Sequence, residues 1–189
     1  MDPSSPLKVC FTGGTVGDWA IGSIRPVIGL SLPAAPRLSV SENSVASNGA
    51  RTLRGVVSHL RYTTGAEAGA LRERQAPLGR PEATCAALIP IRKSSEWWAL
   101  PQDERRAIYQ ERSGHTSVGL EYLPAVARRL HHGRDLGEPF DFLTWFEYAP
   151  KDAERFEELV GRLRHSEEWR YVDREVDIRL ERSDPLRRV

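Results

Sequence analysis

The chain has 189 residues, and its 27 basic and 26 acidic residues leave a formal net charge of +1 at pH 7. This near-neutral balance argues against a strongly basic surface for nucleic acid. No apolar run approaches the roughly 20 residues that a membrane helix needs, so we expect no membrane partner. The hydrophobic content of 40% and charged content of 28% are typical of a soluble globular protein.

The N-terminal part of the sequence predicts strands and a long connection. The first residues, MDPSSPLKVCFTGG, lack the apolar core of a signal peptide, and we therefore expect a cytoplasmic protein. Cys10 and Cys85 match no metal or redox spacing and are predicted to be free, buried thiols. Residues 33–49 are rich in Pro, Ser, Ala and Asn, which predicts a long loop after an N-terminal strand pair.

The middle of the chain is predicted to alternate between strands and helices. Residues 51–64 are β-branched and partly alternating, which predicts a strand. Residues 65–75 follow as a short helix, and the compact apolar run at 84–93 predicts a second strand, with Arg92 and Lys93 pointing outward at its end. Residues 100–112, with proline near the start, acids early and bases late, predict a helix.

The next segment raises a question about a single histidine. Residues 115–132 predict a helix that stops at Gly133 and kinks at Pro124, which lacks an amide proton. On a straight helix His115 and Arg128 would lie about 20 Å apart. A bend near Pro124 would allow both side chains to approach one ligand.

The C-terminal elements complete an α+β pattern. FDFLTWFEY at 140–148 alternates strictly and predicts a strand, and 171–180 alternates again. Between them a helix is predicted from apolar residues at helical spacing: Phe156, Leu159, Val160 and Leu163. This order favours antiparallel sheets covered by helices on one face, of the ferredoxin-like class.

Among the histidines, His115 is the best candidate ligand. The chain has five: His59, His115, His131, His132 and His165. None forms a zinc-binding spacing, and no GxSxG motif indicates a serine nucleophile. His115 begins an apolar run, and a single side chain suffices for haem because the porphyrin supplies four nitrogen ligands. From the residues alone, a purely structural histidine is the alternative.

A second stretch, IPIRKSSEWW, supplies cations and indoles that suit a porphyrin. Arg92 and Lys93 could bind propionates, while Trp97 and Trp98 could pack on the macrocycle edge. The alternative is that both tryptophans belong to an ordinary core.

Three stretches of the chain resemble the chlorite dismutase family of haem b proteins: ALIPIRKSSEWW, DERRAIYQERSGHTSVGLEYLPAVARRLHHGRDLGEPFDFLTWFEYAP and FEELVGRLRHSEEWRYV. The similarity is strongest over residues 84–181 and is closest to the short, dimeric branch. It implies a homodimer built as a ferredoxin-like dimeric α+β barrel. It also implies a reduced N-terminal half at 1–83, a haem-binding half at 84–182 and a flexible tail at 183–189.

The resemblance also implies a role for each site residue. His115 would bind the haem iron, and Glu167, or the adjacent Glu168, would accept the other ring N–H of His115. Arg128 would lie on the distal side as the catalytic cation. The residues that would contact the propionates and the macrocycle are Lys93, Trp97, Trp98 and Tyr62.

The implied activity is the conversion of chlorite to chloride and dioxygen, through an oxo-iron species and hypochlorite that Arg128 retains. A coprohaem decarboxylase of haem biosynthesis is the first alternative, although such relatives usually lack the distal arginine. A haem-binding or haem-sensing module without turnover is the second. A barrel without any cofactor is the third.

Overall fold

The computed structural model describes residues 6–42, 52–57 and 62–182. Within these ranges eight antiparallel strands form a closed barrel, in the order β1-β3-β2-β8-β5-β7-β6-β4. The strands are β1 (Lys8–Gly14), β2 (Trp19–Ile28), β3 (Arg37–Glu42), β4 (Thr52–Val56), β5 (Cys85–Lys93), β6 (Ala127–His132), β7 (Phe142–Tyr148) and β8 (Val172–Arg182).

Four of the five α-helices in the described ranges lie in the second half of the chain. The five are α1 (Gly65–Arg74), α2 (Ser95–Ala99), α3 (Gln102–Arg106), α4 (His115–Glu121) and α5 (Ala153–Arg164). A π-helical segment, Ala107–Arg112, continues directly from α3. Three 3₁₀ turns complete the set: Arg134–Leu136, Pro150–Asp152 and Glu167–Tyr171. None of the helices in the described ranges is long and apolar enough to cross a membrane.

The barrel consists of two sets of four strands with the same internal order. The first set runs β4-β1-β3-β2 and the second runs β8-β5-β7-β6, so each has its fourth strand beside its first. In the second set α2 to α4 connect β5 to β6 and α5 connects β7 to β8, which is the βαββαβ pattern of ferredoxin-like folds. The predicted α+β barrel is thus confirmed. The exact boundary at residue 83 remains a prediction, and the predicted tail at 183–189 lies outside the described residues.

Two apolar clusters hold the barrel and its helices together. The first fills the barrel interior and includes Leu143 and Trp145 of β7. The second lies between the sheet and α5, where the Phe156 ring contacts Phe146 and Tyr148 at centroid distances of 5.2 and 4.5 Å. Opposite faces of β7 therefore supply opposite clusters, as its alternation predicts. The predicted apolar face of α5 is buried as a whole: Phe156, Leu159, Val160 and Leu163.

Two predictions about the elements were wrong. The helix predicted over 115–132 ends at Glu121, the Leu123–Pro124 bond is cis, and residues 127–132 form strand β6. Proline interrupts the helical ladder, and pairing with β7 from Ala127↔Glu147 to His132↔Phe142 then sets the extended conformation. The loop predicted at 33–49 contains β3, which pairs along β1, while residues 43–49 lie outside the described ranges.

Buried His131 makes the stability of the fold depend on pH. Its side chain is 1% exposed, and burial lowers its pKa from 6.5 to about 4. Between these values the unfolded chain binds the proton more readily, so the free energy of unfolding falls as pH falls. We expect this residue to account for a loss of about 2 kcal/mol between pH 7 and pH 5.

His131→Gln should therefore reduce the difference between the unfolding free energies measured in urea at pH 7 and pH 5. Exposed His165 provides the control, because His165→Gln should leave that difference unchanged. An undiminished pH dependence in His131→Gln would contradict the assignment.

Candidate functional site

A cavity of about 330 Å³ lies where β5, β6 and β7 face α1 and α4. Its volume is in the range of pockets that hold small molecules and cofactors. Most of the wall is apolar, from residues such as Ile89, Ile91 and Phe146. Six of the eight residues predicted for the site line it: Tyr62, Lys93, Trp97, His115, Arg128 and Glu168.

His115 is the first residue of α4 and is held by a buried carboxylate. Its Nδ1 atom lies 2.7 Å from Oε2 of Glu168, whose side chain belongs to the 3₁₀ turn before β8. The backbone N–H of Glu168 donates to Oγ of Ser113 at 2.9 Å, which fixes this turn beside the start of α4. With Nδ1 directed at Glu168, Nε2 is the ring nitrogen that remains for another ligand.

Lys93 completes the group from the end of β5. Its Nζ atom lies 2.9 Å from Oε1 of Glu168 and donates to the Glu168 carbonyl at 3.1 Å. The prediction that Lys93 points outward with Arg92 was wrong, because Lys93 is only 5% exposed while Arg92 is exposed and pairs with Asp173. Successive side chains of a strand point to opposite faces, so both could not point outward.

The contacts with His115 and Lys93 keep Glu168 ionised inside the protein. Burial by itself would raise the pKa of this carboxyl group, which is 5% exposed. The interactions with His115 and Lys93 outweigh that effect and lower the pKa to about 2. A carboxylate that accepts the imidazole N–H raises the basicity of the opposite ring nitrogen.

Tyr109 is a site residue that sequence analysis missed. Its ring stacks on the His115 imidazole, with centroids 4.4 Å apart and an interplanar angle of 21°. Burial raises the pKa of its phenol to about 12, so the hydroxyl stays neutral. Tyr109 lies in the π-helical segment, and no sequence signal distinguishes that segment from a regular helix.

Arg128 reaches the same cavity from β6. Its guanidinium packs against Gly119 of α4 so closely that a methyl group at Gly119 would overlap it. Burial lowers the pKa of Arg128, but a guanidinium remains charged in proteins. Within the described ranges no carboxylate pairs with Arg128, so its charge remains available to a bound anion.

Trp97 and Tyr62 form part of the wall beside Lys93. Trp97 is 1% exposed, and its indole Nε1 has no hydrogen-bond partner in the described part of the chain. The Lys93 ammonium lies 4.7 Å from the centroid of this ring, and Tyr62 contacts the same ring edge-on at 6.2 Å. An unpartnered buried donor in a cavity wall suits a ligand that carries an acceptor group.

Trp98 and Glu167 lie outside the cavity lining. The Trp98 indole donates to Oδ2 of Asp141 at 3.2 Å, under the guanidinium of Arg134. Glu167 pairs with Arg112 at 3.5 Å. Neighbouring residues of a helical turn point in different directions, and here Trp97 and Glu168 line the cavity while Trp98 and Glu167 do not.

Comparison with known proteins identifies the family. The family model described as chlorite dismutase matches residues 37–182. The chain belongs to the chlorite dismutase family. The resemblance seen in the sequence is thereby confirmed.

The known relatives differ in how similar they are to this chain. A solved structure of a dimeric chlorite dismutase from Nitrobacter winogradskyi is 59% identical, with a TM-score of 0.88, over 93% of this chain and 99% of that one. A chlorite dismutase from Candidatus Nitrospira defluvii, in complex with imidazole, is 29% identical, with a TM-score of 0.57, over 76% of this chain and 56% of that one. The curated chlorite dismutase of Ideonella dechloratans is 37% identical over 62 residues, which are 33% of this chain and 20% of that protein.

The two adjacent glutamates should differ in how much the free energy of unfolding falls when each is neutralised. Glu168→Gln leaves the Lys93 ammonium buried without its anion, and we expect a loss of about 3–5 kcal/mol in the free energy of unfolding. Glu167→Gln removes only a partly exposed pair and should cost less than about 1 kcal/mol. Urea denaturation of the two variants without added haem measures both values. An equal or larger loss in Glu167→Gln would contradict the pairing described above.

Proposed function

We propose that this protein is a haem b-dependent chlorite dismutase that converts chlorite to chloride and dioxygen. The observation that carries the proposal is the pairing of two features on one cavity. One is an imidazole held by a buried carboxylate, and the other is the guanidinium of Arg128, which has no carboxylate partner among the described residues. The names of the relatives support the same reaction.

The residues of the cavity fit a haem. A haem needs only one axial side chain, and His115 offers Nε2 while Glu168 occupies Nδ1. The unpartnered indole N–H of Trp97 suits a propionate, and Tyr62 beside it suits the same edge of the macrocycle. When bound, the haem would supply the iron at which a chlorine–oxygen bond of chlorite is broken.

Glu168 and Lys93 would set the electronic character of the proximal ligand. The carboxylate holds the His115 ring in one tautomer and makes its free nitrogen a stronger donor. Lys93 keeps that carboxylate anionic and in place.

Arg128 would act on the anions of the reaction. Chlorite and hypochlorite are both negatively charged, and a permanent cation in an apolar cavity attracts and retains them. Because the described part of the chain offers it no ion pair, Arg128 can turn from Gly119 towards a bound anion without breaking one. Chloride and dioxygen together contain all the atoms and charge of chlorite, so no general base is required.

We also propose a homodimer, because the relative from Nitrobacter winogradskyi is described as dimeric and matches nearly the whole chain. A cytoplasmic location stays a prediction from the sequence.

An oxygen electrode tests the proposed reaction. Haem-loaded protein should release dioxygen and chloride in equal amounts from chlorite. Arg128→Ala should lower kcat/KM by about tenfold or more, since it removes a charged contact to the anion. It should also complete fewer turnovers before inactivation, because hypochlorite escapes and oxidises the protein.

The control is Arg74→Ala, which removes an exposed arginine that does not line the cavity and should keep the wild-type rate and lifetime. Unchanged turnover and lifetime in Arg128→Ala would refute the role of Arg128. Formation of haem b from coprohaem and peroxide, without dioxygen release from chlorite, would instead identify a decarboxylase.

A further inference from the structure

The His115 imidazole has two neighbours that restrict it in different ways, Glu168 at one edge and Tyr109 on one face. We infer that Tyr109 is a positioning residue whose ring fixes the plane of the His115 imidazole. This inference rests on the proposed function in one respect only, namely that His115 serves as the ligand to iron.

A single hydrogen bond does not define the orientation of an imidazole. The contact between Nδ1 of His115 and Oε2 of Glu168 fixes one point on the ring, at 2.7 Å, but permits rotation about the line through the two atoms. A ring stacked at 4.4 Å with an angle of 21° blocks that rotation, because the imidazole would collide with it on turning. The two contacts together therefore set both the position and the plane of the ligand.

The π-helical segment explains how Tyr109 reaches this place. π-helical turns are rare and are frequently found at functional sites. Here the segment Ala107–Arg112 is followed by Gly114 in the left-handed conformation, with φ of 60°, which turns the chain directly into α4. Tyr109 is thereby folded back onto the first residue of that helix.

Gln110, the next residue, braces the same turn of α4. Its Oε1 atom accepts a hydrogen bond from the backbone N–H of Thr116 at 2.9 Å, and its Nε2 atom donates to Oγ of Ser117 at 2.9 Å. Gln110 thus satisfies one of the free N–H groups at the start of α4. Two consecutive residues of one π-helical segment therefore fix this part of the site. Tyr109 contacts the side chain of His115, and Gln110 holds the first turn of the helix that His115 begins.

The contact between Tyr109 and His115 is made by ring faces, so the ring and not the hydroxyl should be responsible. Tyr109→Phe keeps a ring of the same shape, whereas Tyr109→Leu removes it and keeps an apolar side chain. Tyr148→Leu is the matched control, because the Tyr148 ring also stacks on another ring, that of Phe156, at 4.5 Å, and Tyr148 does not line the cavity.

The first measurement uses histidine ring-proton NMR on the protein without haem. In the wild type the His115 ring protons should resonate upfield of those of exposed His165, because they lie over the Tyr109 ring. The upfield shift should persist in Tyr109→Phe and Tyr148→Leu and be lost in Tyr109→Leu. Absence of the shift in the wild type would overturn the inference, even if Tyr109→Leu did not fold.

The second measurement follows transfer of haem from loaded protein to an excess of apomyoglobin. Tyr109→Leu should lose haem about three- to tenfold faster than the wild type, while Tyr109→Phe and Tyr148→Leu stay within about twofold. A Phe variant as impaired as the Leu variant, or a Leu variant like the wild type, would overturn the inference. Failure of the wild type to take up haem would refute the proposed function, while the NMR result would still test the stacking.

Discussion

The buried carboxylate of Glu168 is the group on which the site depends. Enclosing a charge in a protein is costly unless other charges and donors compensate it. Here Lys93 and His115 both contact the carboxylate, and they lie 75 and 53 positions away in the sequence. The three side chains come from the end of β5, the start of α4 and the turn before β8. Any arrangement of these elements that separates them would leave a buried charge without a partner.

The barrel explains why these elements meet. β5 lies between β7 and β8 in the sheet, so the end of β5 and the turn that leads into β8 are neighbours. The helices that connect β5 to β6 then place α4 beside that turn. The strands β1 to β4 have the same order but, in the described ranges, no connecting helices of this kind. They contribute mainly to the interior cluster, and the helical half carries the site.

The sequence predicted those parts of the fold and the site that local residue patterns determine. The alternation of β7, the apolar face of α5 and the special place of His115 before an apolar helix are all visible in the residues. The resemblance to the family added the distal role of Arg128 and the pair of adjacent glutamates. It did not decide between Glu167 and Glu168, because a single 3₁₀ turn determines which carboxylate is buried.

Other features could not be predicted because distant contacts create them. The sequence ARRLHH has no clear strand alternation and follows helical residues, and only pairing with β7 makes it a strand. From the sequence alone, Lys93 resembles an exposed cation at the end of a strand. Its burial depends on pairing with Glu168, which comes from a distant part of the chain. Tyr109 reaches His115 only because residues 107–112 adopt a π-helix instead of an α-helix.

A crystal structure of the haem-loaded protein tests the central claim most directly. The account predicts that Nε2 of His115 binds the iron while Nδ1 of the same ring remains within hydrogen-bond distance of Glu168, with Lys93 on the other carboxylate oxygen. An iron bound by a different side chain, or a Glu168 carboxylate turned away from the His115 ring, would contradict it.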